Sequence, residues 1–151
     1  MEAFDANWAA LWSAFGPARK MVLATTAGEQ VSARMMSLVR QGERLYFQTD
    51  CTSRKYAQLC ANPHIALCAD NLQIEGICRE LGHPLEHPAF PGLFQAAFPD
   101  SFARYTHLTD ERLFEVTPLF AKRWLYRDGI PFEEIFEPDR RRYALREYQG
   151  K

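Results

Sequence analysis

The chain has 151 residues, which at about 100–200 residues per domain predicts one folded domain over residues 1–151. Hydrophobic residues make up 47% and charged residues 25%, so the composition favours a globular protein over a disordered or collagen-like chain. The 18 basic and 19 acidic side chains leave a formal net charge of −1, which argues against a global attraction to nucleic acid or to an anionic membrane.

A helix is predicted near the N-terminus, where large apolar residues repeat at a helical period: Phe4, Trp8, Leu11, Trp12 and Phe15. Asp5 is expected to cap this helix, and Gly16-Pro17 to end it. We expect the apolar face to pack over the edge of a barrel.

Seven short strands are predicted from alternating or β-rich stretches that are separated by turn residues. Their ranges are 20–26, 30–39, 44–49, 65–69, 72–80, 112–117 and 120–126. In the second strand Val31, Ala33 and Met35 share one face, and Ser32, Arg34 and Met36 share the other. Many short strands and few long helices predict a small antiparallel barrel.

Three further segments interrupt or follow these strands. Thr52 is expected to cap a short helix over 53–60, which Asn62-Pro63 ends. Four prolines between residues 82 and 109 predict a loop with short helical pieces, such as 93–98. The acidic segment 128–139 is expected to pair with the three arginines that follow it.

The cysteines and the N-terminus indicate a cytoplasmic protein. No two of Cys51, Cys60, Cys68 and Cys78 have C-x-x-C spacing, so we expect reduced thiols. The first residues are acidic rather than basic, unlike a secretory signal. No apolar run approaches the ~20 residues that span a bilayer, so neither a membrane nor a nucleic-acid partner is predicted.

The start of the second predicted helix points to an anion site. Acidic side chains are favoured at helix N-termini, where N–H groups are unpaired and the dipole is positive. Arg54 and Lys55 lie there instead, beside the hydroxyls of Thr52 and Ser53. Together these groups predict a phosphate cradle. The alternative is two solvated cations on an ordinary helix.

Arg34 favours the phosphate interpretation. It lies in the middle of a strand with apolar neighbours, where a guanidinium should be paired or close to solvent. If the third strand pairs with the second, Arg34 can reach the same anion as Lys55. Nearby residues would offer polarizable surface and polar groups to a flat ring: Met35, Met36, Phe47, Gln48 and Thr49. The pattern predicts a site for a flat, phosphorylated cofactor.

The run SARMMSLVRQGERLYFQTDCTSRKYAQLCANPHIALC resembles the FMN-binding split barrel of the pyridoxamine 5′-phosphate oxidase-like superfamily. The shared parts are, in order, a strand with Arg, a strand ending in Thr, Ser-Arg-Lys at a helix start, and Asn-Pro before a strand. The resemblance covers residues 21–82 well and 112–129 more loosely. It implies a mainly β (α+β) fold, a six-to-seven-stranded antiparallel split β-barrel with short flanking helices.

The resemblance also implies FMN as the cofactor and a homodimer with the cofactor site at its interface. The residues implied to meet the phosphate are Arg34, Ser53, Arg54 and Lys55. Those implied to lie along the ring and ribityl chain are Met35, Met36, Ser37, Phe47, Gln48 and Thr49. Those implied to come from the other subunit are Gln73 and Trp124.

The activity that this resemblance implies is a flavin-dependent oxidoreductase with an unknown small-molecule substrate. NAD(P)H is a candidate electron donor. Pyridoxamine phosphate oxidation is not expected, because the C-terminal segment lacks the His that holds the substrate phosphate in those oxidases. The alternatives are a non-catalytic flavin-binding or sensor protein and a cofactor-free dimeric interaction module. A deazaflavin or haem in place of FMN also stays open.

No catalytic acid or base is predicted, and no metal site. His83 and His87 have metal-ligand spacing for a helix, but Pro84 and Pro88 make a regular helix there unfavourable.

Overall fold

The structure, a computed structural model, describes residues 2–150. Its eight strands are β1 (Ala18–Ala27), β2 (Gln30–Gln41), β3 (Arg44–Asp50), β4 (His64–Ala69), β5 (Leu72–Glu80), β6 (Glu111–Arg127), β7 (Ile130–Glu137) and β8 (Arg142–Glu147). They form one antiparallel sheet in the order β3-β2-β1-β4-β5-β6-β7-β8. Because β3 also pairs with β6, strands β1 to β6 close into a barrel. The predicted antiparallel barrel is confirmed, and β7 and β8 extend it.

The prediction of two separate strands on either side of Pro118 is wrong, because the chain runs through it as the single strand β6. Pro118 has no N–H to donate to a strand ladder, and the register with β5 shifts between Glu75 and Gly76 at this point. A Cβ on Gly76 would lie 2.7 Å from the carbonyl oxygen of Thr117. The bulge and the glycine therefore allow β6 to continue past the proline.

The first helix, α1 (Glu2–Phe15), buries the predicted apolar face in the main core. Phe4 and Trp8 pack against the ring of Phe136 on β7. The helix begins at Glu2, so the prediction of Asp5 as its cap is wrong; the Asp5 carboxylate pairs instead with Arg141. Gly16, at φ 84°, follows the last helical residue as predicted.

The second helix, α2 (Arg54–Ala61), is capped one residue later than predicted. Ser53 Oγ accepts a hydrogen bond from the N–H of Tyr56 at 3.1 Å. Thr52 is not the cap, because its hydroxyl donates to the carboxylate of Asp50 at 2.6 Å. Asn62 ends the helix as predicted.

Residues 82–109 form a helical cover on the outer face of the barrel. The cover contains a 3-10 turn (Pro84–Glu86), α3 (Phe90–Ala97), α4 (Pro99–Ser101) and a π-helical turn (Phe102–Thr106). Its aromatic side chains form a second core with β2, β3 and β6: Val39, Tyr46, Phe90, Phe94 and Leu113. The predicted loop with short helical pieces is confirmed, although the helix assigned to 93–98 begins at Phe90.

A hydrogen-bonded carboxylate lies on the outer side of the barrel wall that carries this second core. Glu115 accepts hydrogen bonds from Tyr46 at 2.8 Å and from Arg79 at 2.9 Å. Burial acts to raise the pKa of Glu115, but these two partners outweigh it and lower the pKa below its ordinary value. The network contributes stability as long as Glu115 is ionised.

The acidic C-terminal segment was assigned no strand from the sequence, yet it forms β7. Glu134 is buried on this strand, where Arg123 at 2.8 Å and Tyr143 at 2.7 Å satisfy its carboxylate. Glu137 pairs with Arg142 at 3.5 Å, so the predicted pairing of the acidic segment with the three arginines is confirmed for Arg142, whereas Arg141 pairs with Asp5. In the described part of the chain, no helix is both long and apolar enough to cross a membrane.

Candidate cofactor site

A cleft opens where β2 and β3 separate. The two strands pair only between Val39–Gln41 and Arg44–Tyr46. Beyond this point β2 continues with β1, and β3 continues with β6 on its opposite edge. The facing edges of β2 and β3 therefore carry backbone N–H and C=O groups that no strand within residues 2–150 pairs. Such edges can bind the polar rim of a flat heteroaromatic ligand.

The first turn of α2 bridges the two diverging strands. Ser53 Oγ lies 3.4 Å from Thr49 Oγ1 on β3. Lys55 Nζ lies 3.5 Å from Met36 Sδ on β2. The positive end of the α2 dipole therefore lies at the cleft.

Three cations converge at this end of α2, and we call Arg34, Ser53, Arg54 and Lys55 the cradle. Burial and the charge of Arg54 lower the pKa of Arg34. Burial and the charge of Arg34 lower the pKa of Lys55. None of the three cations forms an ion pair with a carboxylate of the described chain. A bound anion would relieve this mutual repulsion.

Gln58 on α2 holds Arg34 in place. The Arg34 guanidinium donates to the carbonyl of Leu23 at 3.0 Å and to Gln58 Oε1 at 3.4 Å. Gln58 Oε1 also accepts from Thr25 at 2.7 Å, and Gln58 Nε2 donates to Ser32 at 3.1 Å. A guanidinium has five N–H donors, so these contacts leave others for an anion.

Gln58 was not predicted as a site residue, although its position in the sequence carries a signal. Gln58 lies four residues after Arg54 and three after Lys55, so it shares their face of α2. A polar residue that is buried on the same helix face as two cations is a candidate partner for a third cation.

Two carboxylates, which were also missed, act on Lys55 from β3 and β6. Asp50 and Glu111 are directly paired across these strands, and both act to raise the pKa of Lys55. Burial and the charge of Asp50 raise the pKa of Glu111, while Lys55 and His83 oppose the shift. No local pattern marks Glu111, because its place opposite Asp50 depends on the long-range pairing of β3 with β6.

The residues expected along the ring divide between the two edges of the cleft. On β2, Met35 is exposed, and Met36 and Ser37 are half-buried; on β3, Gln48 and Thr49 are buried. The expectation that the Phe47 side chain offers surface to a ligand is wrong. It is fully buried and stacks on Phe114 in the core, so only its backbone borders the cleft.

Gln73 and Trp124 lie together, but not at the cleft of their own subunit. They line a surface pocket of about 400 Å³ on the outer face of β5 and β6. A row of paired residues leads from Met35 through Val22 and Cys68 to Gln73. Three strand spacings of about 4.8 Å separate Met35 and Gln73 by roughly 14 Å.

Other chemistry-bearing residues have structural contacts. His83 Nδ1 accepts from the N–H of Leu85, and His87 Nδ1 accepts from the N–H groups of Ala89 and Phe90. Within residues 2–150 no group of three metal-ligating side chains comes together, and all four cysteines are free thiols.

No protein-family model and no curated protein matches the chain. Solved structures do match. An FMN-binding protein from Nostoc punctiforme PCC 73102 that is related to pyridoxamine 5′-phosphate oxidase is 17% identical, with 87% of each chain covered and a TM-score of 0.64. The chain has the split-barrel fold. PhzG from Burkholderia lata 383, solved with tetrahydrophenazine-1-carboxylic acid, is 16% identical, covers 98% of this chain and 91% of its own, and has a TM-score of 0.62.

A third split barrel, HutZ, the heme storage protein from Vibrio cholerae, is 15% identical. It covers 66% of this chain and 80% of its own, with a TM-score of 0.55. The predicted fold class, a split antiparallel barrel with short flanking helices, is thus confirmed. The cleft between β2 and β3 is the split in this barrel.

The site fits a flat, phosphorylated group. The cradle offers three cations and a helix N-terminus to a dianion, and the split offers open backbone edges to a ring. Both features lie at the same end of α2, so one ligand can contact both.

Proposed function

We propose that this split barrel binds FMN and acts as a flavin-dependent oxidoreductase. The observation that supports the proposal best is the convergence of Arg34, Arg54 and Lys55 beside the open split. These side chains, Ser53 and the first N–H groups of α2 would hold the phosphate. FMN binding by the split barrel from Nostoc punctiforme, which has the same fold, agrees with this assignment.

The ring would lie between the two strand edges. The backbone of Met35, Met36 and Ser37 would border it on one side, and Gln48, Thr49 and the backbone of Phe47 on the other. Bound FMN supplies the redox chemistry, and the chain supplies binding, orientation and electrostatics. NAD(P)H is the candidate electron donor for an unidentified small-molecule substrate.

A homodimer would complete the site. Gln73 is separated from Met35 in its own split by three strand spacings, and Trp124 lines the same surface pocket as Gln73, so the two residues would serve the site of a second subunit. The outer face of β2 supports this arrangement, because Val31 is 75% exposed and Met35 is 60% exposed. Exposed apolar surface of this kind often marks an interface.

A flavin-binding protein without turnover is the second candidate. The observation that favours it is the fold of HutZ, a heme storage protein, which shows that a split barrel can serve storage. In this candidate the cradle and the split bind the cofactor as above, but no external reductant reaches it.

The proposal is tested by the absorbance spectrum and mass spectrum of any ligand that co-purifies, followed by titration with FMN and riboflavin. Riboflavin lacks the phosphate, and each charge-assisted hydrogen bond is worth about 1.5–3 kcal/mol. We therefore expect riboflavin to bind weaker by a factor on the order of 100. Equal binding of the two flavins would show that the cradle is not the phosphate site.

Turnover is tested on the loaded protein. Loss of the flavin absorbance on addition of NADH or NADPH supports the oxidoreductase. Bound flavin that neither nucleotide bleaches favours the non-catalytic candidate. Colourless protein that takes up no added FMN overturns both.

A further inference from the structure

The helical cover meets the cofactor split through one buried hydrogen bond. The hydroxyl of Thr106 donates to Gln48 Oε1 at 3.0 Å, across 58 positions of sequence. Thr106 is fully buried and Gln48 is 9% exposed. Thr106 is the last residue of the π-helical turn, and Gln48 lies on the open edge of β3. The cover therefore touches a residue that borders the split.

Backbone hydrogen bonds anchor the helical cover on both sides of this contact. The base of the cover is closed by backbone hydrogen bonds from Leu81 to Leu113 and from Leu113 to Gly82, each at 2.8 Å. After the π-helical turn, the carbonyl of Asp110 accepts from the N–H of Cys51 at 2.8 Å. These bonds place Thr106 over Gln48 without requiring any ligand.

In the structure the carbonyl end of the Gln48 amide faces the Thr106 hydroxyl, and the Nε2 end faces away from it. A carboxamide has one carbonyl acceptor and two N–H donors. Gln48 Oε1 is occupied by Thr106, and Gln48 Nε2 has no partner within the described chain. Within residues 2–150, the indole nitrogens of Trp8 and Trp12 are the only fully buried side-chain polar atoms without a hydrogen-bond partner, so Gln48 Nε2 is partly accessible to solvent. In this orientation the two N–H groups of Gln48 Nε2 are available to donate hydrogen bonds.

We infer that Thr106 is a positioning residue for the cofactor, because it holds Gln48 with its N–H groups available to an acceptor atom of the bound ring. The inference rests on the proposed FMN site and adds the helical cover to it. The pyrimidine edge of a flavin carries carbonyl oxygens, which accept hydrogen bonds. If the Thr106 hydroxyl were absent, the amide could turn its own carbonyl toward them, which is repulsive.

The test compares FMN binding by wild type, Thr106→Val, Thr106→Ser and Gln48→Met. Thr106→Val keeps the side-chain shape but removes the donor, so we expect FMN to bind about tenfold more weakly. Thr106→Ser keeps the hydroxyl and should restore binding to within about twofold. Gln48→Met should weaken binding as much as Thr106→Val does.

The double variant Thr106→Val/Gln48→Met shows whether Thr106 acts through Gln48. We expect it to bind FMN no more weakly than Gln48→Met alone, because the partner of Thr106 is already absent. The absorbance spectrum of the bound flavin should shift in Thr106→Val and return in Thr106→Ser. A merely structural contact would lower the melting temperature of the ligand-free protein without moving this spectrum.

Two results would overturn the inference and leave the proposed function standing. One is wild-type affinity and an unchanged flavin spectrum in Thr106→Val; the other is an equal loss of affinity when that change is made in the Gln48→Met background. Wild-type protein that takes up no FMN would overturn the proposed function and the inference together. Thr106→Ala replaces Thr106→Val if the latter does not fold.

Discussion

Lys55→Met tests the charged cradle through the stability of the ligand-free protein and the affinity for FMN, which should change in different ways. Burial and Arg34 lower the pKa of Lys55. A lowered lysine pKa means that the fold disfavours the charged form, so the charge reduces stability at every pH below the folded pKa. The cost disappears only as the pH rises above the unfolded value of about 10.4. At pH 7, Lys55→Met should therefore leave the ligand-free protein at least as stable as wild type.

With FMN bound, wild type should become more stable than Lys55→Met. Loss of one charge-assisted hydrogen bond, worth about 1.5–3 kcal/mol, raises Kd by about 10- to 150-fold. A ligand at about 100 times the wild-type Kd stabilises the wild-type fold by about 2.7 kcal/mol. For a variant that binds about 30-fold more weakly, the same FMN concentration contributes only about 0.9 kcal/mol.

Thermal unfolding with and without FMN measures both quantities, and a fluorescence titration gives Kd. Arg44→Met is the matched control, because it removes one positive charge from an exposed position at the opposite end of β3. It should change neither the affinity nor the increment in stability. Unchanged FMN affinity in Lys55→Met would refute the placement of the phosphate at the cradle.

Three further substitutions test the fold around the site. Gly76→Ala should destabilise the protein by about 1–3 kcal/mol in thermal unfolding, because the new Cβ would lie 2.7 Å from the carbonyl oxygen of Thr117. Gly92→Ala is the control, because nothing lies within 4 Å of a Cβ at that position. In wild type, the lowered pKa of Glu115 stabilises the fold above pH 4.5, and this contribution is lost as the carboxylate protonates. Glu115→Gln lacks the contribution at every pH, so its stability should fall less than that of wild type on acidification below pH 4.5. Identical acid unfolding curves of the two proteins would contradict this. Phe47→Leu should destabilise the fold by about 1–2 kcal/mol without changing FMN affinity, since the ring is in the core. A loss of FMN affinity in this variant would show that the Phe47 side chain contacts the ligand.

Local patterns in the sequence were sufficient for most elements. The helical period of α1 and the alternation in β2 depend on neighbours within a few residues, and both are confirmed. An Asp-Gly pair is likewise a local turn signal, and Asp128-Gly129 forms the turn between β6 and β7 with φ values of 53° and 79°. β7 was missed because charges that are neutralised by distant partners, such as Glu134 with Arg123, look like a solvated segment in the sequence.

At the site, sequence alone predicted which residue types would meet a phosphate. It predicted Arg34 and Lys55 from charges that oppose the local preference, and the structure brings both to the N-terminus of α2. Two other residues of the site were decided only by long-range contacts. Glu111 acts on Lys55 from β6, and Thr106 contacts Gln48 from the helical cover; no local spacing encodes either contact.

Phe47 shows why the remaining details required the tertiary structure. A strand with one buried face alternates between apolar and polar residues, and the alternation indicates which side chains point inward. In β3 the barrel interior covers one face and the helical cover the other, so the five residues from Leu45 to Thr49 are all buried. Alternation is absent in such a strand, and only the packing of the two layers decides that Phe47 enters the core while Gln48 meets Thr106.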